Sequence, residues 1–248
     1  MSIISNLVIG WKGDTLMTLT SKLHQIEQLR KHTTLAKFID SLHTNINFNT
    51  HNIYHSNLIE GINVTEQDTL NIILGNNTMI YYEEGEEVIG LHNALQYMYA
   101  NIHQDLSHEL ILGMFNNLNS EEQYRTCEVG TYRIDNGEWS SYPLSRYVYS
   151  LMDDLIDFFN KPLTLEQICE LKLAFIHIHP FSDGNGRMSR LLLNWALIKN
   201  GYPPITILVQ DKDEYIYSLM EYGDSNYTKP QRFIEFIANY LLQTYTLP

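Results

Sequence analysis

The sequence predicts a mainly α-helical fold with one short β-hairpin. Two observations carry this prediction: apolar residues recur at helical spacing over most of the 248 residues, and an Asn-Gly turn signal separates two short runs near the middle of the chain. Hydrophobic residues make up 44% of the chain. That content is enough for a substantial core, and the length suits one domain or a core with a small extension.

Helical spacing predicts a series of helices in chain order. Apolar stripes or caps place them over 19–29, 35–46, 65–73, 88–102, 107–118, 147–159, 164–178, 188–200 and 212–222. The second of these stripes consists of Leu35, Phe38, Ile39, Leu42 and Ile46. The hairpin is predicted from strands at 131–134 and 138–141, which flank Asp135-Asn136-Gly137.

The segment H-P-F-S-D-G-N-G-R-M-S-R, residues 179–190, joins two of these helices. Pro180 ends the first helix near position 179, so the glycine-rich part lies at the N-terminus of the second. Unpaired backbone N–H groups and the helix dipole favour an anion there. Gly184 and Gly186 allow a phosphate to approach the backbone closely.

The side chains of this segment suit phosphate chemistry. His179 is a candidate general base, and Asp183 is a candidate ligand for magnesium, which prefers a carboxylate plus substrate phosphates. Asn185 could donate its amide N–H to a phosphate oxygen. Arg187 and Arg190 lie three positions apart on a helix, so both could point toward one polyphosphate. A plain polar turn between helices is the less favoured interpretation, because it would not need both arginines.

This segment resembles the signature of the Fic (filamentation induced by cAMP) family, H-x-F-x-[DE]-G-N-G-R-x-x-R, at every fixed position. The resemblance implies a Fic-type helical fold with a β-hairpin flap beside the active site. It implies transfer of AMP from ATP to a hydroxyl of a target protein. His179 would be the base, Asp183 the Mg²⁺ ligand and Gly184, Asn185 and Gly186 the anion hole. Arg187 and Arg190 would contact phosphates.

The resemblance extends over about residues 55–245. It includes 130–133, 201–204 and a closing helix around 230–242, and it places Tyr215 near the adenine. The implied flap, which could bind an extended target segment by adding a strand, consists of Ile134, Asp135, Asn136, Gly137, Glu138 and Trp139. This flap is short and lacks an alternating apolar strand. Trp139 could anchor the flap, stack on a target or pack under a loop.

Residues 56–61, S-N-L-I-E-G, resemble the inhibitory motif of the same family, [ST]-x-x-x-E-[GN]. Ser56 and Glu60 share a helix face, and Gly61 suits a helix end. Glu60 could pair with Arg190 and so take that arginine away from the γ-phosphate of ATP. The alternative is a short surface helix that ends in glycine. The resulting division is an N-terminal helical extension at 1–50, an inhibitory helix segment at 51–64 and a catalytic core at 65–248.

Charge and composition exclude several classes of function. The net charge of −13 argues against binding nucleic acid. No apolar run reaches the length of a membrane span, and residues 1–10 lack the basic start of a signal peptide. These observations predict a cytoplasmic protein with no membrane partner. Cys127 and Cys169 fit neither a zinc site nor a disulfide framework.

The predicted activity is autoinhibited transfer of AMP from ATP, with Mg²⁺, to a Ser, Thr or Tyr hydroxyl of a target protein or of the chain itself. Two other enzymatic activities stay open: removal of AMP with Glu60 aligning a water molecule, and transfer of another phosphate-bearing group such as UMP or phosphocholine. A nucleotide-sensing binding module is the alternative from another class. The sequence does not identify the target, the oligomeric state or the signal that relieves inhibition.

Overall fold

The computed structural model describes residues 17–31, 42–76, 82–120, 123–132, 137, 139–225 and 228–246. Three residues of the second predicted stripe, Leu35, Phe38 and Ile39, lie outside these ranges. The same is true of four predicted flap residues, Ile134, Asp135, Asn136 and Glu138.

The described part of the chain is mainly helical, as predicted. Its helices are α1 Leu19–Lys31, α2 Ile46–Ile59, α3 Glu66–Ile73, α4 Tyr82–Ala100, α5 His108–Asn119, α6 Ser145–Phe159, α7 Leu165–Ile178, α8 Asn185–Lys199, α9 Lys212–Asp224 and α10 Gln231–Thr246. The hairpin consists of β1 Gly130–Tyr132 and β2 Trp139–Ser141, which pair antiparallel with Thr131 opposite Ser140. The predicted combination of helices and one hairpin is confirmed.

Side-chain caps account for the start of several helices. Thr65 accepts a hydrogen bond from the backbone N–H of Asp68, and Thr164 forms a capping box with Gln167. The prediction for α4 was wrong at its start, because the helix begins at Tyr82 and not near residue 88. The acidic cluster lies within its first two turns, where the helix dipole stabilises carboxylates.

Helices α7 and α8 form the centre of the molecule. They pack along each other, while α4 packs on α5 and on α8. Helix α8 is buried over almost its whole length, from Arg187 to Ile198. Helix α2 lies against both α4 and α8, so its C-terminal end reaches the N-terminal turns of α8. Among the described helices, none combines the length and the apolar character that a bilayer span requires.

Candidate active site

The turn between α7 and α8 is held in a conformation that its sequence explains. His179 ends α7 in the left-handed region at φ 51°, and Gly184 precedes α8 at φ 73°. A Cβ atom at Gly184 would lie 2.8 Å from Nδ2 of Asn119, so this position has no room for a side chain. Phe181 is fully buried and stacks on Phe115 with 3.4 Å between ring centres. The turn is therefore anchored in the core.

The side chain of Asn185 closes this turn. Its Oδ1 accepts from the backbone N–H of Phe181 at 3.0 Å, and its Nδ2 donates to the Phe181 carbonyl at 2.8 Å. The predicted donation from the Asn185 amide to a phosphate is therefore not available in this structure, because those donors already stabilise the turn. Backbone N–H groups in the first turn of α8 remain the natural anion donors.

His179 lies on the cavity side of the turn. Its Nδ1 is 3.3 Å from the carbonyl oxygen of Ile176, and its ring stacks on Tyr142 at 3.7 Å between centres and 9° between planes. With the proton on Nδ1, the lone pair of Nε2 is available to accept a proton. Burial and the nearby Arg125 lower the pKa of His179 to about 4, against opposing effects of the Ile176 carbonyl, Asp183 and Glu60. The imidazole is therefore neutral at pH 7.

Arg125 is a residue of this site that the sequence motifs did not reveal. Its side chain is fully buried. Its guanidinium donates to the carbonyl oxygens of His179 at 2.7 Å, of Cys127 at 2.9 Å and of Pro143 at 2.5 Å. Its backbone N–H also donates to the carbonyl of Pro180 at 2.8 Å. Arg125 therefore ties the turn to the segments on both sides of the hairpin.

No spacing rule pointed to Arg125 or to Tyr142, the other residue missed. Both lie outside the twelve-residue segment, and their contacts arise only when the hairpin region folds against α7. In the sequence, an isolated arginine near a cysteine matches no motif, and neither does one of the seventeen tyrosines.

Glu60 and Arg190 form the predicted ion pair. Oε1 of Glu60 lies 2.7 Å from a guanidinium nitrogen of Arg190, and Nε of Arg190 donates to Oγ of Ser56 at 2.9 Å. The Ser56 carbonyl accepts a third hydrogen bond at 2.9 Å. Gly61 follows at φ 88°, which ends α2 and fixes where Glu60 points.

The carboxylate of Glu60 also covers Gly186. A Cβ atom built on Gly186 would overlap Oε1 of Glu60, so the carboxylate lies directly over the first turn of α8. This is the position where backbone N–H groups and the helix dipole favour an anion. In this structure the carboxylate lies beside that position, on the Gly186 side of the turn.

Arg187 has a different partner from the one predicted. Its guanidinium contacts the carboxylate of Glu87 in α4, and only 3% of its side chain is exposed. Its Nε has no hydrogen-bond partner among the described residues. In this structure Arg187 faces α4 and Arg190 faces α2, because successive turns of α8 face different neighbours. Contact between Arg187 and a phosphate stays a prediction.

The predicted residues that come together border one open cavity of about 480 Å³. Glu60, Gly186 and Arg190 line its polar end, and His179 lies beside them. The remaining lining is largely apolar or aromatic and includes Tyr132, Tyr142, Leu173, Ile176, Tyr215, Ile216, Leu219 and Met220. Such a cavity suits a ligand with a flat apolar part and a charged part.

Tyr215, predicted to lie near the base of the nucleotide, is a wall of this cavity and is only 2% exposed. Asp183 is exposed on the turn before α8. No group of three or more metal-ligating side chains occurs in the described ranges. A single exposed carboxylate at an anion site fits Mg²⁺, which takes one or two carboxylates and completes its shell with phosphates and water.

The hairpin borders the cavity with exposed side chains. Trp139 is 55% exposed, packs against Tyr132 at 5.0 Å between ring centres and lies over Gly130, where a Cβ atom would overlap its ring. Its Nε1 donates to Ser141 at 3.2 Å. Trp139 therefore packs within the hairpin surface, and the interpretation of a tryptophan beneath a loop is wrong. Gly137 has φ 69°, as the predicted turn requires.

Known proteins are similar to this chain in sequence and in fold. Residues 86–197 match the Fic/DOC family. The protein adenylyltransferase fic-1 of Caenorhabditis elegans is 29% identical over 202 residues, and the protein adenylyltransferase Fic of Drosophila grimshawi is 30% identical over 199 residues. These alignments cover 76% and 75% of this chain, but only 39% and 40% of the relatives, so the chain spans about two fifths of their length.

A solved Fic domain-containing signaling protein from Bacteroides thetaiotaomicron has the same fold. The two structures superpose with a TM-score of 0.77, at 23% identity, over 91% of this chain and 94% of that one. The family match at 86–197 contains both the turn before α8 and its supporting helices. The chain therefore contains a Fic/DOC family domain at residues 86–197.

Proposed function

We propose that this protein is a protein adenylyltransferase, which transfers AMP from ATP to a hydroxyl group of a target protein. The observation that carries the proposal is one cavity in which a neutral imidazole, a helix N-terminus and a buried arginine converge. The names of the relatives from Caenorhabditis elegans and Drosophila grimshawi support the same activity.

The reaction follows from the position of His179. Its Nε2 accepts the proton of a target Ser, Thr or Tyr hydroxyl, and the oxygen attacks the α-phosphorus of ATP. A P–O bond to the target forms, the bond to the β-phosphate oxygen breaks, and pyrophosphate leaves. Tyr142 and the Ile176 carbonyl hold the imidazole in one plane and favour the tautomer that keeps Nε2 free.

The phosphates bind at the first turn of α8 in this proposal. Backbone N–H groups near Gly186 receive the negative charge that develops on the α-phosphate, and Arg190 orients the γ-phosphate. Asp183 would hold Mg²⁺, which neutralises phosphate charge when it is bound. The apolar part of the cavity, at Leu173, Ile176 and Leu219, would receive the base.

We infer that Glu60 inhibits this reaction. Its carboxylate holds Arg190 and lies over Gly186, so ATP cannot place its γ-phosphate on Arg190 while the ion pair persists. A misplacement of the α-phosphate by about 1 Å can cost roughly 10²-fold in rate. Arg190 is buried whereas Glu60 is partly exposed, so the glutamate is the partner that is free to leave.

Removal of AMP is the second candidate, because of where Glu60 lies. Its carboxylate borders the cavity and interacts electrostatically with His179, so it could align a water molecule for attack on an AMP-modified target. Transfer of another phosphate-bearing group and a nucleotide-sensing role have no comparable support in the geometry.

The test substitutes Glu60→Gly and follows transfer of labelled AMP to proteins of a lysate and to the chain itself. If the interaction of Glu60 with Arg190 opposes productive ATP binding by about 1.4 kcal/mol, its removal raises labelling by about tenfold. The double variant Glu60→Gly, Arg190→Ala should lose that gain, since the released partner is gone. If Glu60→Gly raises no transfer and only abolishes loss of AMP from a modified target, removal of AMP is the main activity. If neither activity changes, the inhibitory role is refuted.

Target recognition and location belong to the same proposal. A target segment would add a strand to the exposed hairpin edge beside Tyr132 and Trp139. A cytoplasmic location, an absence of nucleic-acid partners and any self-association remain predictions from the sequence.

A further inference from the structure

Lys172 in α7 is a buried cation that the proposed mechanism does not use. Its side chain is fully buried, no carboxylate pairs with its nitrogen among the described residues, and the polar group that it meets is the phenol of Tyr215. The ammonium lies 4.6 Å from the ring centre of Tyr215 and 4.8 Å from that of Phe233. Contacts with aromatic faces stabilise a cation, but more weakly than a hydrogen-bonded carboxylate does. Tyr215, and no carboxylate among the described residues, is therefore the group that compensates the positive charge of Lys172.

Tyr215 separates this cation from the cavity. It forms part of the cavity wall, and its phenol oxygen interacts electrostatically with Lys172 on one side and Arg190 on the other. Burial alone would raise the pKa of Tyr215, but the two cations together lower it. Burial lowers the pKa of Lys172 most, the phenol of Tyr215 opposes this by its charge and a hydrogen bond, and Arg190 lowers the pKa by a smaller amount, so the two positive charges act on each other.

Arg190 lines the polar end of the cavity, and Lys172 lies behind it, on the far side of Tyr215. Of these two buried cations, only Arg190 has a carboxylate partner among the described residues, and that partner is Glu60. A γ-phosphate placed on Arg190 would bring more negative charge to the same point and would compensate Lys172 through the thin wall formed by Tyr215. The phosphate of AMP would bind at the first turn of α8 and lie farther from Lys172, so it would gain less.

We propose that Lys172 is a positioning residue which, acting through Tyr215, makes the Arg190 end of the cavity select a nucleoside triphosphate over a monophosphate. The proposal rests on the proposed function, because it assumes that the cavity binds ATP with the γ-phosphate on Arg190. It adds a selectivity element that lies behind the cavity wall and touches no part of the nucleotide.

The experiment measures ATP and AMP affinity by calorimetry in the full chain carrying Glu60→Gly, with and without Lys172→Met. Methionine has a similar length and suits a site lined by Tyr215 and Phe233, so the fold should persist. We expect ATP affinity to fall about five- to tenfold and AMP affinity to change less than about twofold. Lys172→Arg, which keeps the charge, should restore most of the preference for ATP.

Lys22→Met is the matched control. Lys22 is also a buried lysine, but it pairs with Glu235 at 2.6 Å between α1 and α10 and does not line the cavity. Its loss should leave the ratio of ATP to AMP affinity unchanged. Melting temperatures identify any unfolded variant, and Lys172→Gln replaces Lys172→Met if the methionine variant does not fold.

If Lys172→Met lowers the affinities for ATP and AMP equally, or lowers neither, the role of Lys172 is overturned and the proposed function stays intact. If Lys22→Met lowers the ratio as much as Lys172→Met does, the effect is general to buried lysines and the proposal also fails. If the parent chain with Glu60→Gly binds neither nucleotide, the proposed function itself is refuted, and the selectivity proposal falls with it.

Discussion

The turn before α8 and the β-hairpin border the same cavity, but the fold holds them in opposite ways. The turn is fixed by the buried ring of Phe181, by two hydrogen bonds between Asn185 and the Phe181 backbone, and by the guanidinium of Arg125. The hairpin has two strands of three residues each, and its aromatic residues Tyr132 and Trp139 are 69% and 55% exposed. Reacting groups need a rigid frame, whereas a surface that binds other proteins can remain adaptable.

This contrast supports a division of roles between the two regions. The turn would carry the chemistry and the nucleotide, and the hairpin would carry recognition of the target. Substitutions in the turn and its supports should therefore affect transfer whatever the target is. Substitutions in the hairpin should affect only reactions that involve a protein substrate.

The largest effect is expected for His179→Ala. Without the base, transfer should fall by about 10²- to 10⁴-fold, while ATP affinity should stay within about twofold, because the imidazole acts on the nucleophile and not on the nucleotide. Labelling with AMP and calorimetric titration measure the two quantities. His24→Ala, an exposed histidine of α1, is the control. Full transfer activity in His179→Ala would refute the assignment of the base.

Arg125→Met tests whether the rigidity of the turn matters. The substitution leaves the carbonyls of His179, Cys127 and Pro143 without their donor, and a buried unsatisfied carbonyl costs about 1–3 kcal/mol. We expect a lower melting temperature, and, at a temperature where the variant is folded, a loss of transfer of about 10²-fold because His179 is displaced.

The control for this variant is Arg146→Met, which removes an exposed arginine in the first turn of α6. Its guanidinium lies over the ring of Tyr147 and makes no hydrogen bond to the turn among the described contacts. If Arg125→Met folds and transfers AMP as fast as this control does, the turn does not depend on Arg125, and the contrast with the hairpin loses its main support.

The same contrast explains how much the sequence could predict. The helices and the hairpin could be predicted from local periodicity and turn chemistry, whereas the pairing of Glu60 with Arg190 is predicted from the resemblance of residues 56–61 to an inhibitory motif. Arg187 and Arg190 look equivalent in sequence, yet Arg187 faces Glu87 and Arg190 faces Glu60. Their partners depend on which helix packs against each turn of α8, and no local rule determines that packing.

Asn185, Arg125 and Tyr142 show the same limit in different ways. Asn185 is predicted to donate its amide N–H to a phosphate, but in this structure the turn uses both its amide N–H and its amide oxygen. Arg125 and Tyr142 reach His179 only through the folding of the hairpin region against α7. Residues that support a site from a distant part of the chain are therefore the ones that single-sequence reasoning misses.

Trp139→Ala should have the smallest effect and tests whether the hairpin serves recognition alone. The side chain is half exposed on the hairpin, contacts Tyr132 and Gly130, and does not line the cavity among its described residues. Nucleotide affinity should therefore be unchanged. Loss of an aromatic contact with a target segment should raise the KM for a protein substrate about fivefold, which corresponds to about 1 kcal/mol. The reporter is the lysate protein that the Glu60→Gly chain labels most strongly.

Tyr217→Ala provides the comparison for that measurement, because Tyr217 is a 53% exposed aromatic residue on α9 whose described ring contact is with Arg232. Labelling by the Tyr217 variant should match the parent chain. A lower kcat with unchanged KM in Trp139→Ala would mean that the hairpin supports the chemistry itself, and the proposed division between a rigid turn and a recognition surface would be wrong. Equal labelling by the Trp139 and Tyr217 variants would instead place target recognition on another surface of the molecule.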